Sequence, residues 1–303
     1  MTDLHFQPFV LGGNTFGWTS DRETSFAVLD AFVDRGGVSI DTADAYNQWM
    51  PDGTGGESET IIGEWLASRK SRDRVHIATK VSQLSTRPGL GPDNIRAAVE
   101  DSLRRLQTDH LDLYYAHQDD ENVPQEDYMA AFDALVRDGK VREIGASNFA
   151  PDRLRNAQQI ATKHDLTGFT VSQDLYNLVE RGVEGTHLDA LEELGIVEMP
   201  FFSLASGFLT GKYRPGVGTD SARWDWVKSY VKDEKNQKLL SVLDDVAANH
   251  DAEVASIALA WLRRQPQVAA PLASARTVDQ LGPLFASAEI ELTDEEVSVL
   301  SAP

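Results

Sequence analysis

Cysteine does not occur among the 303 residues of this chain. Disulfides, cysteine-ligated zinc, iron–sulfur clusters and thiol nucleophiles are excluded with it. Basic residues are scarce: 28 Lys and Arg face 48 Asp and Glu, a formal net charge of −20. A nucleic-acid backbone or an anionic membrane surface needs clustered cations, so this balance argues against both as main partners. No apolar run approaches the roughly 20 residues that cross a bilayer. The stretch from Met1 to Phe6 has neither the basic nor the apolar region of a signal peptide. These absences predict a cytoplasmic protein. No linker interrupts the chain, so residues 1–303 read as a single domain.

What is present is ordinary for a globular protein with a full core: 41% hydrophobic and 25% charged residues. Short apolar, β-prone runs fall at Val10–Asn14, Val38–Asp41, Val75–Lys80, Leu111–His117, Glu143–Ser147, Phe169–Gln173, Ile196–Phe201 and Val268–Pro271. Some are nearly continuous apolar runs, as suits strands buried on both faces. Helical patterns separate them at Arg22–Arg35, Glu57–Ser68, Asp93–Leu106, Glu126–Asp138, Pro151–His164 and Leu188–Leu194, with Asp93 a candidate N-cap. Strand–helix alternation repeated eight times predicts a parallel (β/α)8 barrel of the TIM type. The long stretch Ser203–Ser229 follows the seventh strand and reads as an irregular functional loop. Asp244–Asn249 and Ala252–Gln265 add helix before strand eight.

Several familiar motifs fail. Gly207–Tyr213 is one residue short of a P-loop and has Tyr where Ser or Thr belongs. Gly53–Ser58 lacks the last glycine of a dinucleotide fingerprint. No GxSxG elbow occurs, and no histidine pair has metal-ligand spacing, so no metal is expected.

The informative residues are the polar ones that end strands, because in such a barrel they converge on one mouth. Asp41 and Tyr46 follow strand two, Lys80 ends strand three and His117 ends strand four. Alone, each has a plain reading as a solvated charge, a loop cap, a surface aromatic or a core histidine. Together they can protonate a carbonyl oxygen while hydride reaches its carbon. An ammonium beside a tyrosine lowers its pKa, a carboxylate keeps that ammonium charged, and a histidine donates a hydrogen bond to the carbonyl.

The run Asp41-Thr42-Ala43-Asp44-Ala45-Tyr46, then Gly55-Gly56-Glu57-Ser58-Glu59, resembles the aldo-keto reductase superfamily. Ile77–Lys80, Leu111–His117, Ile144–Phe149, Ser172–Leu178 and Leu204–Tyr213 continue the resemblance in order across nearly the whole chain. Its flavour is that of aryl-alcohol-dehydrogenase-like and potassium-channel β-subunit-like members. The resemblance implies that Tyr46 is the general acid and base, Lys80 and Asp41 tune it, and His117 orients the carbonyl. It implies that Ser147, Asn148 and Gln173 hold the nicotinamide carboxamide and that Phe201 stacks on the ring. Ser203, Leu204, Ser206, Gly211 and Lys212 would flank the pyrophosphate. Arg276 and Gln280, with Arg223 from the long loop, would hold a 2′-phosphate, so NADP(H) is expected to be preferred and NAD(H) to be usable. Pro283-Leu284 stand where the family often has an adenine-contacting Glu-Asn pair. Trp18, Trp49 and Met50 would form an apolar wall for a small-molecule carbonyl or alcohol substrate, and Trp224 and Trp226 lie in the long loop.

Three functions compete at this level. One is a nicotinamide-dependent carbonyl reductase or alcohol dehydrogenase. The second is a regulatory NADP(H) sensor with slow turnover, resembling channel β-subunits. The third is a barrel hydrolase or isomerase, against which the Ser147-Asn148 and Gln173 set weighs.

Overall fold

A computed structural model describes Leu4, Phe6, residues 8–217 and residues 223–302. Eight strands form one parallel sheet: β1 Val10–Gly12, β2 Ser39–Asp41, β3 His76–Val81, β4 Leu111–Ala116, β5 Val141–Ser147, β6 Phe169–Gln173, β7 Val197–Glu198 and β8 Leu272–Ala273. Neighbours in the sheet run β7-β6-β5-β4-β3-β2-β1-β8. The two edges meet where Glu198 bridges Val268, with Glu198 N–H donating to Gln267 O at 2.7 Å and Ala269 N–H to Glu198 O at 2.9 Å. This is the (β/α)8 barrel that the alternation predicts.

Between the strands lie α1 Arg22–Asp34, α2 Glu57–Arg69, α3 Pro92–Leu106, α4 Gln125–Arg137, α5 Pro151–His164 and α6 Thr186–Leu194. Then follow α7 Trp224–Lys232, α8 Glu234–Asn249, α9 Val254–Arg263, α10 Leu281–Ala286 and α11 Asp294–Ser301. Alternation along a strand divides the core. Leu113 and Tyr115 join a small apolar cluster with Val10, Val171, Met199 and Leu272, whereas Tyr114 and Ala116 belong to the large cluster packed against the helices.

The strands and helices differ from the sequence expectation in a few places. Strand eight lies at Leu272–Ala273 instead of Val268–Pro271. Pro271 has no N–H to give, so regular pairing begins after it, with Leu272 opposite Val10. Strand seven is shorter than Ile196–Phe201; Pro200 interrupts it, and Phe201 pairs separately with Leu175. Asp93 is no N-cap: Pro92 opens α3 after Gly91, and Asp93 sits in the first turn bonded to Arg96. The 203–229 stretch contains a 3-10 segment at Ala205–Thr210 and the first turns of α7, while residues 218–222 lie outside the described residues. Helix α8 begins ten residues before the expected Asp244, at Glu234.

Helices α2 and α3 approach closely because Gly63 has no side chain. A Cβ there would lie 2.0 Å from Arg105 O, which is backbone and cannot swing aside. Gly63→Ala is therefore expected to lower stability by about 1–3 kcal/mol, the usual cost of overpacking. Urea unfolding checks this; a variant as stable as the parent would show that the two helices can part freely.

Candidate active site

Strand order brings Asp41, Tyr46, Lys80 and His117 to one mouth. Lys80 and Asp41 are both fully buried, 0% exposed, and their Nζ–Oδ2 distance is 2.5 Å. Lys80 Nζ also donates to Thr42 O at 2.7 Å and to the Tyr46 hydroxyl at 3.0 Å. Tyr46 in turn donates to Asp41 Oδ2 at 3.3 Å. Asp41 Oδ1 accepts from Gln173 Nε2 at 3.0 Å, so Gln173 is an anchor of the acid group as well as a lining residue.

The electrostatics run opposite to the expected lowering of the Tyr46 pKa. Burial, then the charge of Asp41 and its hydrogen bond, push the phenol well above its ordinary value. Burial also lowers the Lys80 pKa against the opposing pull of Asp41. Tyr46 therefore stands as a neutral phenol, the form that can give up a proton. His117 is pushed well below the usual histidine range by burial and by Lys80, so its ring is neutral. Its ring lies 6.2 Å from that of Tyr46 at 74°.

Behind the histidine, Asn148 adopts a left-handed conformation, φ 59°. Its side-chain amide donates to His117 O at 3.1 Å and to Ser147 Oγ at 2.9 Å. Ser147, Asn148, Gln173 and Phe201 all line a cavity of about 640 Å³ that opens above Tyr46. Ser203, Leu204, Ser206, Lys212, Arg223, Arg276 and Gln280 line its other end. Gln280 Oε1 accepts from the Arg276 N–H at 2.8 Å, so its acceptor secures the arginine backbone. Lys212 and Arg223 each have a lowered pKa, caused first by burial and then by nearby cations, Arg276 foremost. In a chain of net charge −20, these three mutually opposed cations make that part of the cavity locally positive.

Two expected residues stay outside the cavity lining. Met50 lies where the chain turns twice, Met50 N–H to Asn47 O and Gly53 N–H to Met50 O, both at 3.0 Å, and is not among the lining residues. Gly211, at φ 75°, faces Arg214 and Val254 instead of the cavity. Trp18 and Trp49 do form a wall, with ring centroids 5.7 Å apart and edge to face. Trp226 from α7 joins it 5.5 Å from Trp18, and the Arg223 guanidinium lies 5.6 Å from the Trp18 ring centre. Asn14 and Ser274 are further lining residues, joined at 2.7 Å. Asn14 carries the same sign as the tetrad, a polar side chain where a strand ends. Ser274 carries it only once β8 is placed at Leu272–Ala273.

Behind Lys80 a second acid is held under strain. Asp44 is buried, neither carboxylate oxygen has a well-formed hydrogen bond, and its N–H donates to Lys80 O at 3.3 Å. Burial first and the charge of Glu59 second raise its pKa to about 7, against the cations of Arg105 and Arg87. The folded chain thus keeps a proton that the unfolded chain has already released above about pH 4. Stability contributed by that proton is lost as pH rises towards 7. Asp44→Asn is expected to gain on the parent by roughly 1.4 kcal/mol per pH unit between about pH 4 and 7, then hold level. Unfolding free energies measured across that range check it; parallel curves for the two proteins would refute it.

Comparison with known proteins agrees with this geometry. Residues 8–302 match the model of the Aldo/keto reductase family. The chain is 36% identical over 311 residues to an uncharacterized oxidoreductase, YrpG, of Bacillus subtilis (strain 168), covering 99% of this chain and 93% of that protein. It is 34% identical over 328 residues to Protein tas of Escherichia coli (strain K12), covering 99% and 95%. It is 29% identical over 310 residues to an aryl-alcohol dehydrogenase of Pestalotiopsis microspora, covering 97% and 78%. With a barrel that gathers Asp, Tyr, Lys and His at one mouth and a family match spanning nearly its whole length, this chain belongs to the aldo/keto reductase family of nicotinamide-dependent oxidoreductases.

Proposed function

We propose that this protein reduces an aromatic or otherwise hydrophobic aldehyde or ketone with NADP(H), and runs the reverse oxidation, with Tyr46 as the proton donor and acceptor. The observation that carries the reading is the Tyr46 hydroxyl, 3.0 Å from a buried ammonium, beneath an open cavity with cations at its far end. A bound reduced nicotinamide would supply the hydride. The chain's own residues handle the oxygen. As charge develops on the carbonyl oxygen, the neutral Tyr46 phenol passes it a proton. Lys80, already within hydrogen-bond reach, steadies the phenolate left behind. Asp41 keeps Lys80 protonated against the pull of burial. The neutral His117 ring can donate to the carbonyl and fix its direction without competing as an acid.

The cofactor contacts follow from the lining. Phe201 offers a flat face for a nicotinamide ring, and Ser147 with Asn148 offers amide-type partners to its carboxamide. Arg276 presents a guanidinium suited to a phosphate dianion, with Lys212 and Arg223 beside it. Phe202, Ala205, Ser206 and Gly207 all have positive φ, a bend that suits close approach of backbone to a pyrophosphate. The Trp18, Trp49 and Trp226 wall supports the hydrophobic substrate class; one relative bears the name aryl-alcohol dehydrogenase.

Tyr46→Phe keeps the ring and deletes the proton. Hydride transfer in a single turnover should fall about a hundred- to ten-thousandfold while NADPH affinity stays near parental. Transfer at the parental rate with NADPH saturating would mean that another group or water is the donor. Arg276→Ala should weaken NADPH by roughly ten- to a hundredfold and leave NADH nearly unchanged, because a charge-assisted hydrogen bond is worth about 1.5–3 kcal/mol. Fluorescence titration with both cofactors reads the difference; equal losses would remove Arg276 as the discriminator.

A further inference from the structure

Behind the nicotinamide end of the cavity, three titratable side chains meet out of contact with solvent. They are Asp174 just after β6, His187 in α6 and Glu198 in β7, and one ligand-type atom from each lies within 4.8 Å of the others. All three are buried. Asp174 Oδ1 accepts from the Asn148 N–H at 3.0 Å. Asp174 Oδ2 accepts from Ser172 Oγ at 2.5 Å and faces His187 Nε2 at 2.9 Å. Glu198 Oε1 accepts from the Asp174 N–H at 3.0 Å, while Glu198 Oε2 is buried without any partner. The tetrad uses none of these groups, yet Asp174 directly holds the residue whose side chain reaches both His117 O and Ser147.

We propose that the pair Asp174 and Glu198 holds one proton, on Glu198, and that this pair is the positioning device that fixes Asn148 for the nicotinamide carboxamide. The proposal rests on the NADP(H) reading above. Two ionised carboxylates this close in a dry site repel each other strongly, and one of them takes up a proton instead. The division of roles follows from their bonds. Asp174 receives hydrogen bonds on both oxygens, which favours its anion. Glu198 receives one backbone N–H and has an oxygen with nothing to accept, which favours the neutral acid. The shift of Glu198 runs the same way: burial, then the charge of Asp174, raise it well above the ordinary carboxyl range. Tyr115 and Tyr176, which also feel Glu198, are themselves raised and stay neutral, so neither adds a charge to the pair.

The charged Asp174 then does local work. Asn148 adopts a left-handed backbone that a non-glycine residue enters at a cost, and the Asp174 carboxylate compensates by binding its N–H. The same three side chains have the makeup of a metal site. Both Asp174 oxygens and His187 Nε2 are already engaged with protein partners, however, and a proton on Glu198 removes the repulsion without displacing any of them.

Two measurements test this. Infrared spectra of the intact protein at about pH 8, above the titration of Asp44, should show the C=O stretch of a protonated carboxyl group, and Glu198→Gln should abolish that band. Asp174→Ala should weaken NADPH by about tenfold, the loss of one good hydrogen bond, and leave unchanged the affinity for 2′-phosphoadenosine diphosphoribose, which lacks the nicotinamide. Should Asp174→Ala not fold, Asp174→Asn carries the same comparison, with the same selective direction. Absence of the band in the parent, its persistence in Glu198→Gln, equal weakening of both ligands, or a stoichiometric metal in the isolated protein would each overturn the proposal. A parent that shows the band but binds neither ligand would instead defeat the NADP(H) reading, and with it the positioning role, while leaving the proton on Glu198 standing.

Discussion

The buried pair of Lys80 and Asp41 is the constraint around which the mouth is built. Taking two charges fully out of water costs several kcal/mol per ion, and their attraction repays this only when the remaining valences are filled. Here they are. Lys80 finds Asp41, Thr42 O and Tyr46, and Asp41 finds Lys80, Tyr46 and Gln173. Those partners come from β2, β3 and β6 and the turn after β2, so the barrel must close for the pair to be satisfied. Conversely, an unpaired lysine at that depth would give up its proton and lose its charge. The strand register that sets Lys80 beside Tyr115 and Asp41 beside Ala78 is thus coupled to the chemistry of the site.

Strain gathers on the opposite side. In the segment after β7, Phe202, Ala205 and Ser206 hold positive φ together with Gly207. Such conformations cost roughly 1–3 kcal/mol each for ordinary residues and persist only where neighbours over-determine them. Ala205 N–H reaches back to Phe202 O at 2.6 Å, Asn177 Nδ2 holds Phe202 O at 3.0 Å, and Ser203 Oγ holds Pro200 O at 2.8 Å. The bend is therefore fixed in advance of any ligand, and the entropy of ordering it is not charged to binding.

Much of this was legible in the sequence because strands buried on both faces leave continuous apolar runs, and polar residues stand out where those runs stop. Leu111–Ala116 with His117 beyond it, and His76–Val81 with Lys80 near its end, are read directly by that rule. The rule fails where backbone chemistry overrides it. Pro271 and Pro200 cannot donate to a ladder, so β8 slid and β7 shortened, and Ser274 was hidden with them. It also fails in the turns beyond a strand, as at Met50, which is not among the lining residues. The direction of the Tyr46 shift was out of reach for another reason. Sequence shows that Lys80 and Asp41 are near, but burial and the second bond of Asp41 decide which of them prevails, and both are three-dimensional quantities.

The two ends of the cavity divide the physical labour, and the chain divides with them. The acid–base end is drawn from β2, β3 and β4, all in the first half of the sequence, and its charges are sealed from water. The cation end is drawn from the segments after β7 and β8, and its charges are only partly buried. Low dielectric strengthens every charge term and, in the proposed reaction, would suit the brief appearance of a phenolate. At the cation end burial and the nearness of Arg276 both lower the pKa of Lys212 and of Arg223, so like charges are crowded there; in the proposed complex an anion would relieve that repulsion. The surrounding charge of −20 opposes any anion at long range, but salt screens that field over about 8 Å, so the local cluster governs the last approach. The tryptophan wall spans both ends: Trp18 touches Trp49, which faces Tyr46, and also lies against Arg223 of the cation cluster. Arg223 therefore stacks on the same tryptophan wall that faces Tyr46, and the two ends share one continuous line of contacts.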